Sequence, residues 1–221
     1  MRFNSTKHPR IGHLPWSAHA DADDITGATT VALEGREVVV LEKRDGECTT
    51  LYSDHHHARS ITSGPHLSRS KLAALHGSIA RLIPHDVRIC GENVAAVHTV
   101  RYHALRSVFE TFSAWRGAEC LGWDETEQLA NDIGLVTVPV LWRGGWDDRL
   151  ISAIDVSKLA GDPCEGYVVR PASSFSAEEF SLLVLKHRAM AMDAGEHWMH
   201  KRVEWNCVVG SCKHGATCAA R

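Results

Sequence analysis

Three valines and a leucine, Val38-Val39-Val40-Leu41, run straight into the charged string Glu42-Lys43-Arg44-Asp45-Gly46-Glu47. A short β-branched run without polar alternation is a strand buried on both faces. Asp-Gly immediately after it is a turn signal. The chain must therefore bury a strand whose end presents a lysine beside an acidic turn. An ordinary lysine, with a pKa of about 10.4, is protonated at neutral pH and cannot attack an electrophile. Burial at a strand end and nearby cations lower that pKa and free the lone pair. Arg44 follows Lys43 directly, so its side chain points to the opposite face of the strand. Lys186 and Arg188 are the better candidates for sharing the pocket of Lys43.

The remaining pattern supplies strands and a few helices. Residues 37 to 43 form the first strong strand. Thr49 to Ser53 and His57 to Ser60 flank Asp54-His55-His56 and read as a hairpin. Residues 70 to 83 carry apolar positions at helical spacing and stop at Pro84. Val87 to Cys90 reads as a short strand that delivers Gly91-Glu92, and Val108 to Trp115 as another. Asp124 and Glu127 suggest a capping box for a helix ending at Gly134. Val136 to Trp142 reads as an edge strand because it contains Pro139. Residues 147 to 159 suggest a helix and Tyr167 to Arg170 a strand. Ser176 with Glu179 caps a short helix or turn before Leu182 to Leu185, which delivers Lys186. No βαβα rhythm is present. The expected class is α+β, with antiparallel sheets flanked by helices. Residues 1 to 35 look irregular, and Val203 to Arg221 reads as a loosely structured tail.

Composition narrows the function. The net charge of −3 excludes passive coating of nucleic acid, so any such binding needs a local patch. Fifteen histidines would make part of a phosphate-binding field pH-dependent. No apolar run approaches the ~20 residues of a membrane span, and Met1 to Ala20 lacks a signal-peptide core. A cytoplasmic location with no membrane partner is expected. Seven cysteines, an odd number, favour free thiols over a disulfide framework. Cys207, Cys212, His214 and Cys218 are candidate zinc ligands, set against a tail with free thiols. His55-His56-His57 suits an exposed turn better than a metal site, and His66 and Arg69 suit a mobile loop near substrate.

Read in order, five segments resemble the motifs of the covalent nucleotidyltransferases, the superfamily of ATP-dependent RNA and DNA ligases and mRNA capping enzymes. Glu42-Lys43-x-Asp45-Gly46-Glu47 matches the nucleophile motif. Gly91-Glu92 matches the next, and Phe112 stands where the family places a base-stacking aromatic. Glu165-Gly166-x-Val168-x-Arg170 and Lys186-x-Arg188 match the last two. Arg59-Ser60 after the nucleophile hairpin is similar to the nick-sealing phage RNA ligase branch. The resemblance covers residues 36 to 200, which sets the expected nucleotidyltransferase domain, with 1–35 and 201–221 as flanking segments. Glu196-His197-Trp198-Met199 resembles the end of a group of bacterial and phage ligase-like proteins.

The resemblance implies ATP-dependent RNA ligation in RNA repair. Lys43 would attack the α-phosphorus of ATP, and the AMP would pass to a 5′-phosphate and then leave as a 3′-hydroxyl attacks. Lys186 and Arg188 would hold the α-phosphate. Glu42, Asp45, Gly46, Arg59, Glu92, Phe112, Glu165 and Lys186 would bind the nucleotide. Glu165 and Glu92 would hold Mg2+ or Mn2+. RNA ends, in a nicked duplex or a single strand, are the implied partners. Arg188 stands where the family usually has a second lysine. Only about thirty residues follow it, so RNA grip is expected from a protein partner, a very short substrate contact surface or the N-terminal segment. A DNA ligase or capping-type enzyme, and a non-catalytic nucleotide or RNA-end sensor, are the competing readings.

Overall fold

The apolar residues of this chain sit mainly in segments too short for helices, and strands dominate the fold accordingly. A computed structural model describes residues 5–21, 24–159, 161–190 and 202–210. Its strands are β1 (Gly12–His13), β2 (Glu37–Lys43), β3 (Glu47–Leu51), β4 (His56–Ala58), β5 (Val87–Asn93), β6 (Phe109–Arg116), β7 (Glu119–Cys120), β8 (Val136–Thr137), β9 (Val140–Gly145), β10 (Gly166–Pro171), β11 (Phe175–Ser176) and β12 (Leu185–Arg188). Its α-helices are α1 (Ser70–Ile79), α2 (Trp123–Asp132), α3 (Asp148–Ser152) and α4 (Phe180–Leu183). One sheet runs β1-β12-β10-β2-β9; the other runs β11-β7-β6-β5-β3-β4, with β8 attached to β6. All pairings are antiparallel except β1 with β12 and β6 with β8. The α+β expectation is met.

The aliphatic strand occupies the place its composition demands. β2 lies between β10 and β9, and Val38, Val39 and Val40 are wholly buried. Val38 and Val40 pack with Trp115, Tyr167 and Val169, while Val39 and Leu41 pack with Trp123 and Val138. Burying each such side chain contributes about 1.5–3 kcal/mol. Both faces are thus filled, and the strand emerges from the core at exposed Glu37 at one end and at half-buried Lys43 at the other.

Four local expectations are corrected. Val136 to Trp142 is not one strand. Val138 N–H donates to Thr111 O at 2.9 Å in one sheet, and Pro139 O accepts from Glu42 N–H at 2.8 Å in the other. The chain changes sheets at the proline, and β9 is an edge strand. The capping box at α2 does not form: its N-cap is Gly122, and Asp124 pairs with Arg143 instead. The expected helix over 147–159 is shortened to α3 and a 3-10 turn at Val156–Lys158. Lastly, part of the tail is packed rather than loose. Buried Asn206 donates to Val94 O and Ala96 O, and it accepts from Tyr102 N–H. Glu196 to Met199, Cys212, His214 and Cys218 lie outside the described residues. Among the described residues, no helix is long and apolar enough to cross a membrane, and no three His, Cys, Asp or Glu side chains are grouped to hold a metal.

Candidate active site

A cavity of about 260 Å³ opens between the two sheets, walled by β2 and β10 on one side and β5 and β6 on the other. Lys43, Glu42, Arg59, Glu92, Phe112 and Lys186 all line it. Residues spread over more than 140 positions of sequence meet there, carried by β2, β5, β6 and β12 and by the loop after β4.

Lys43 is paired from behind. Its Nζ donates to Glu165 Oε2 at 2.5 Å, and Glu165 is almost wholly buried. The other oxygen of Glu165 lies 3.4 Å from Arg188 Nε, an ion-pair distance. The register of β10 with β2 and β12 sets this up, since Gly166 stands opposite both Lys43 and Arg188. Arg188 continues outward to Asp21 at 2.8 Å, and Lys186 Nζ donates to Asp24 Oδ1 at 2.6 Å. Asp24 also meets His13 Nε2 at 3.0 Å. Burial is the largest single influence and raises the Asp24 carboxyl, but the hydrogen bond and charge of Lys186, the Asp21 backbone and His13 together outweigh it and hold the group well below the usual carboxylate range. Arg188 spans three carboxylates, Glu165, Asp21 and Asp24, with one planar fork. A lysine in its place would offer a single point charge.

Glu92 is the opposite case. Burial pushes its carboxyl up to about 8; Lys43 opposes this, while Glu165, Asp45 and Glu47 add to it. At neutral pH the group is largely protonated, and it can donate as well as accept. Gly91, which precedes it, must be glycine. A Cβ there would stand 2.4 Å from the Phe109 ring and 2.5 Å from Glu110 O.

Three expected nucleotide ligands are turned elsewhere. Asp45 is buried away from the cavity wall and accepts from the backbone N–H groups of Thr99 and Val100 at 2.7 and 2.6 Å. Gly46 serves close packing, for a Cβ would meet Asn93 O at 2.5 Å. Glu42 lines the cavity, but its carboxylate accepts from Arg44 at 2.6 Å. Arg44 does point away from Lys43, to buried Glu110 at 2.6 Å. Arg69 is likewise not loose: it pairs with Glu47 through Nε at 2.6 Å.

The site also contains residues that no motif announced. His8, Pro9, Arg10, Ile11 and Asp24 all line the cavity. Their only sequence signal was the acidic run from Asp21 to Asp24, which gave no hint of its partners. Of the two expected metal carboxylates, Glu92 lines the cavity and Glu165 lies behind Lys43. This donor set does not make a preformed cage. It does fit a hard divalent ion that keeps its waters and arrives on substrate phosphates, needing one or two carboxylates from the protein.

Known proteins share this fold. Overlaid on solved structures, the chain is similar to the Naegleria gruberi RNA ligase with pyrophosphate, at a TM-score of 0.52 and 14% identity, over 85% of this chain and 62% of that one. It is similar too to an Aquifex aeolicus protein assigned as an ATP-dependent DNA ligase, at a TM-score of 0.51 and 18% identity, over 82% of this chain and 49% of that one. At such identities the likeness establishes the nucleotidyltransferase fold, and the chain spans about half to three-fifths of those structures. No curated protein matches it. The RNA ligase family model, however, matches residues 36–188, most of the chain and every motif residue from Lys43 to Arg188. The chain belongs to the RNA ligase family.

Proposed function

We propose that this protein is an ATP-dependent RNA ligase that joins 3′-hydroxyl and 5′-phosphate ends through a lysyl-AMP on Lys43. The observation that carries the reading is the strand-end lysine itself. Its Nζ faces a cavity shared with Lys186, Arg59, Glu92 and Phe112, and it is backed by Glu165 at 2.5 Å. A merely structural lysine has no need of a cavity in front of it.

In the first step a new N–P bond forms between Lys43 Nζ and the α-phosphorus of ATP. The bond from that phosphorus to the bridging oxygen breaks, and its electron pair leaves with pyrophosphate. The ammonium must first lose a proton, and Glu165 is the acceptor in contact with it. Lys186 lies on the cavity wall, placed to meet the negative charge spread over the phosphoryl oxygens. Phe112 offers a face for the base, and Glu92 a group for the ribose hydroxyls. A divalent ion, when bound, would neutralise phosphate charge; Glu165, and Glu92 once its proton is displaced, are the carboxylates that would hold it. In the later steps a 5′-phosphate oxygen takes the AMP from Lys43, and a 3′-hydroxyl displaces it. Positioning dominates all three displacements. The nucleotidyltransferase unit is proposed to extend over residues 36–200, with His8 to Ile11 and Asp24 of the preceding segment completing its cavity wall, RNA ends as substrate and RNA grip shared with a protein partner.

Incubation with magnesium and α-labelled ATP tests this, with Lys43→Ala alongside. Bound AMP is first stripped with pyrophosphate. Label that survives denaturation on wild type and is absent from the variant is the expected result. Its absence from both would sink the reading. RNA and DNA nicks offered to the labelled protein then identify the acceptor.

A further inference from the structure

His8 has a feature that neither folding nor the lysyl transfer uses. It is buried to 4% exposure, yet its Nε2 has no hydrogen-bond partner. Native structures rarely leave a buried polar atom in that state without a role. The ring is rigidly held. Its Nδ1 lies 3.0 Å from Pro9 O, and a carbonyl can only accept, so Nδ1 carries the hydrogen. Nε2 then presents a lone pair. Phe112, Phe180 and Trp115 surround the ring edge-to-face, at centroid distances of 5.2, 5.3 and 6.5 Å. His8 and Phe112 line the same cavity. Burial, resisted by the Pro9 contact and aided by Arg88 and Arg59, lowers its pKa to about 4, so the ring stays neutral and the lone pair persists at physiological pH.

We propose that His8 is a specificity-determining residue, whose Nε2 accepts a hydrogen bond from the exocyclic amine of an adenine seated against Phe112. This deepens the ATP reading above and rests on it. An acceptor facing the 6-position of a purine rewards an amine and repels a carbonyl oxygen, so adenine is selected over guanine. Arg170 supplies the other buried, unpartnered polar atom on the cavity wall among the described residues, its Nη1. That atom is a donor and suits a ring nitrogen, not an amine. A site built to hydrogen-bond a substrate group rejects an analogue lacking it far more strongly than an apolar pocket does.

The test compares ATP, GTP and purine riboside triphosphate, which lacks the 6-amino group. Lysyl-nucleotide formation is followed by intact-protein mass spectrometry. Wild type is expected to use ATP at least ~10-fold better than the deamino analogue in kcat/KM. His8→Phe should bring the ATP-to-analogue ratio of kcat/KM down to about one. His8→Gln, which keeps an acceptor, should recover part of the preference. Equal use of ATP and the analogue by wild type overturns the inference without needing a variant that folds. So does an unchanged ratio in folded His8→Phe. Adduct formation in either case leaves the ligase reading standing, whereas no adduct from any nucleotide removes both.

Discussion

Glu92 and Glu165 face the same lysine and take opposite characters. Glu165 is committed to Lys43 and Arg188, while Glu92 is held protonated by burial against the pull of Lys43. That difference has a consequence for stability. The unfolded carboxyl releases its proton near its ordinary value of 4.5, and the folded one near 8. Between those values the folded state binds more protons than the unfolded state, so stability falls as pH rises through the window. Glu92→Gln removes the ionisation and keeps the shape. It is expected to gain about 4 kcal/mol over wild type at pH 8 and little at pH 4.5. Urea unfolding at both pH values measures this; parallel pH dependence in the two proteins would show that Glu92 is not the cause. A carboxylate that weakens the empty protein but faces a ligand cavity is what a binding site costs.

At the scale of elements, the site depends on how closely β10 approaches its neighbours. Gly166 has φ of 155°, and a Cβ on it would stand 2.0 Å from His187 O on β12. No rotamer relieves a clash with backbone, so alanine must push β10 off β12 and drag Glu165 from Lys43. Gly166→Ala is expected to cost about 3 kcal/mol or more. It should also abolish AMP labelling even where circular dichroism still reports strands. A variant with wild-type melting and labelling would contradict the close-approach argument. The motif glycines were legible in sequence, and so were β2, β5, β6 and β10, because short aliphatic runs next to turn residues are local signals. The sheet change at Pro139 was not legible. Val136 to Trp142 has one uniform pattern, and which sheet a residue joins is decided by distant partners, Thr111 and Glu42. The surroundings of Asp45 were not legible for a similar reason: residues 99 and 100 bring the backbone N–H groups that its carboxylate accepts from.

Across the whole molecule, the segment before residue 36 is part of the machine. It read as irregular because it has no hydrophobic period, and among its described residues only Gly12 and His13 join a strand. Yet β1 pairs with β12 so that His13 stands opposite Lys186. Leu14 is buried in the main core. Trp16 Nε1–H donates to Tyr167 Oη at 2.8 Å, and its ring stacks on Trp146 at 6.2 Å. His8 fills the space between Phe112, Phe180 and Trp115. Deleting residues 1–20 would therefore remove a strand from one sheet and a wall from the cavity. The loss of Leu14, His8 and Trp16 burial alone is about 5 kcal/mol, against a total of about 5–15 kcal/mol for a domain of ordinary stability. The truncated chain is expected to melt far below wild type, or not to fold at all, and to form no AMP adduct. Differential scanning calorimetry with parallel labelling separates the possibilities. A truncated protein that melts with wild type and still labels would make the segment an ornament. One that melts with wild type but fails to label would place its role in the cavity, through His8 and Asp24, and not in holding the sheets together.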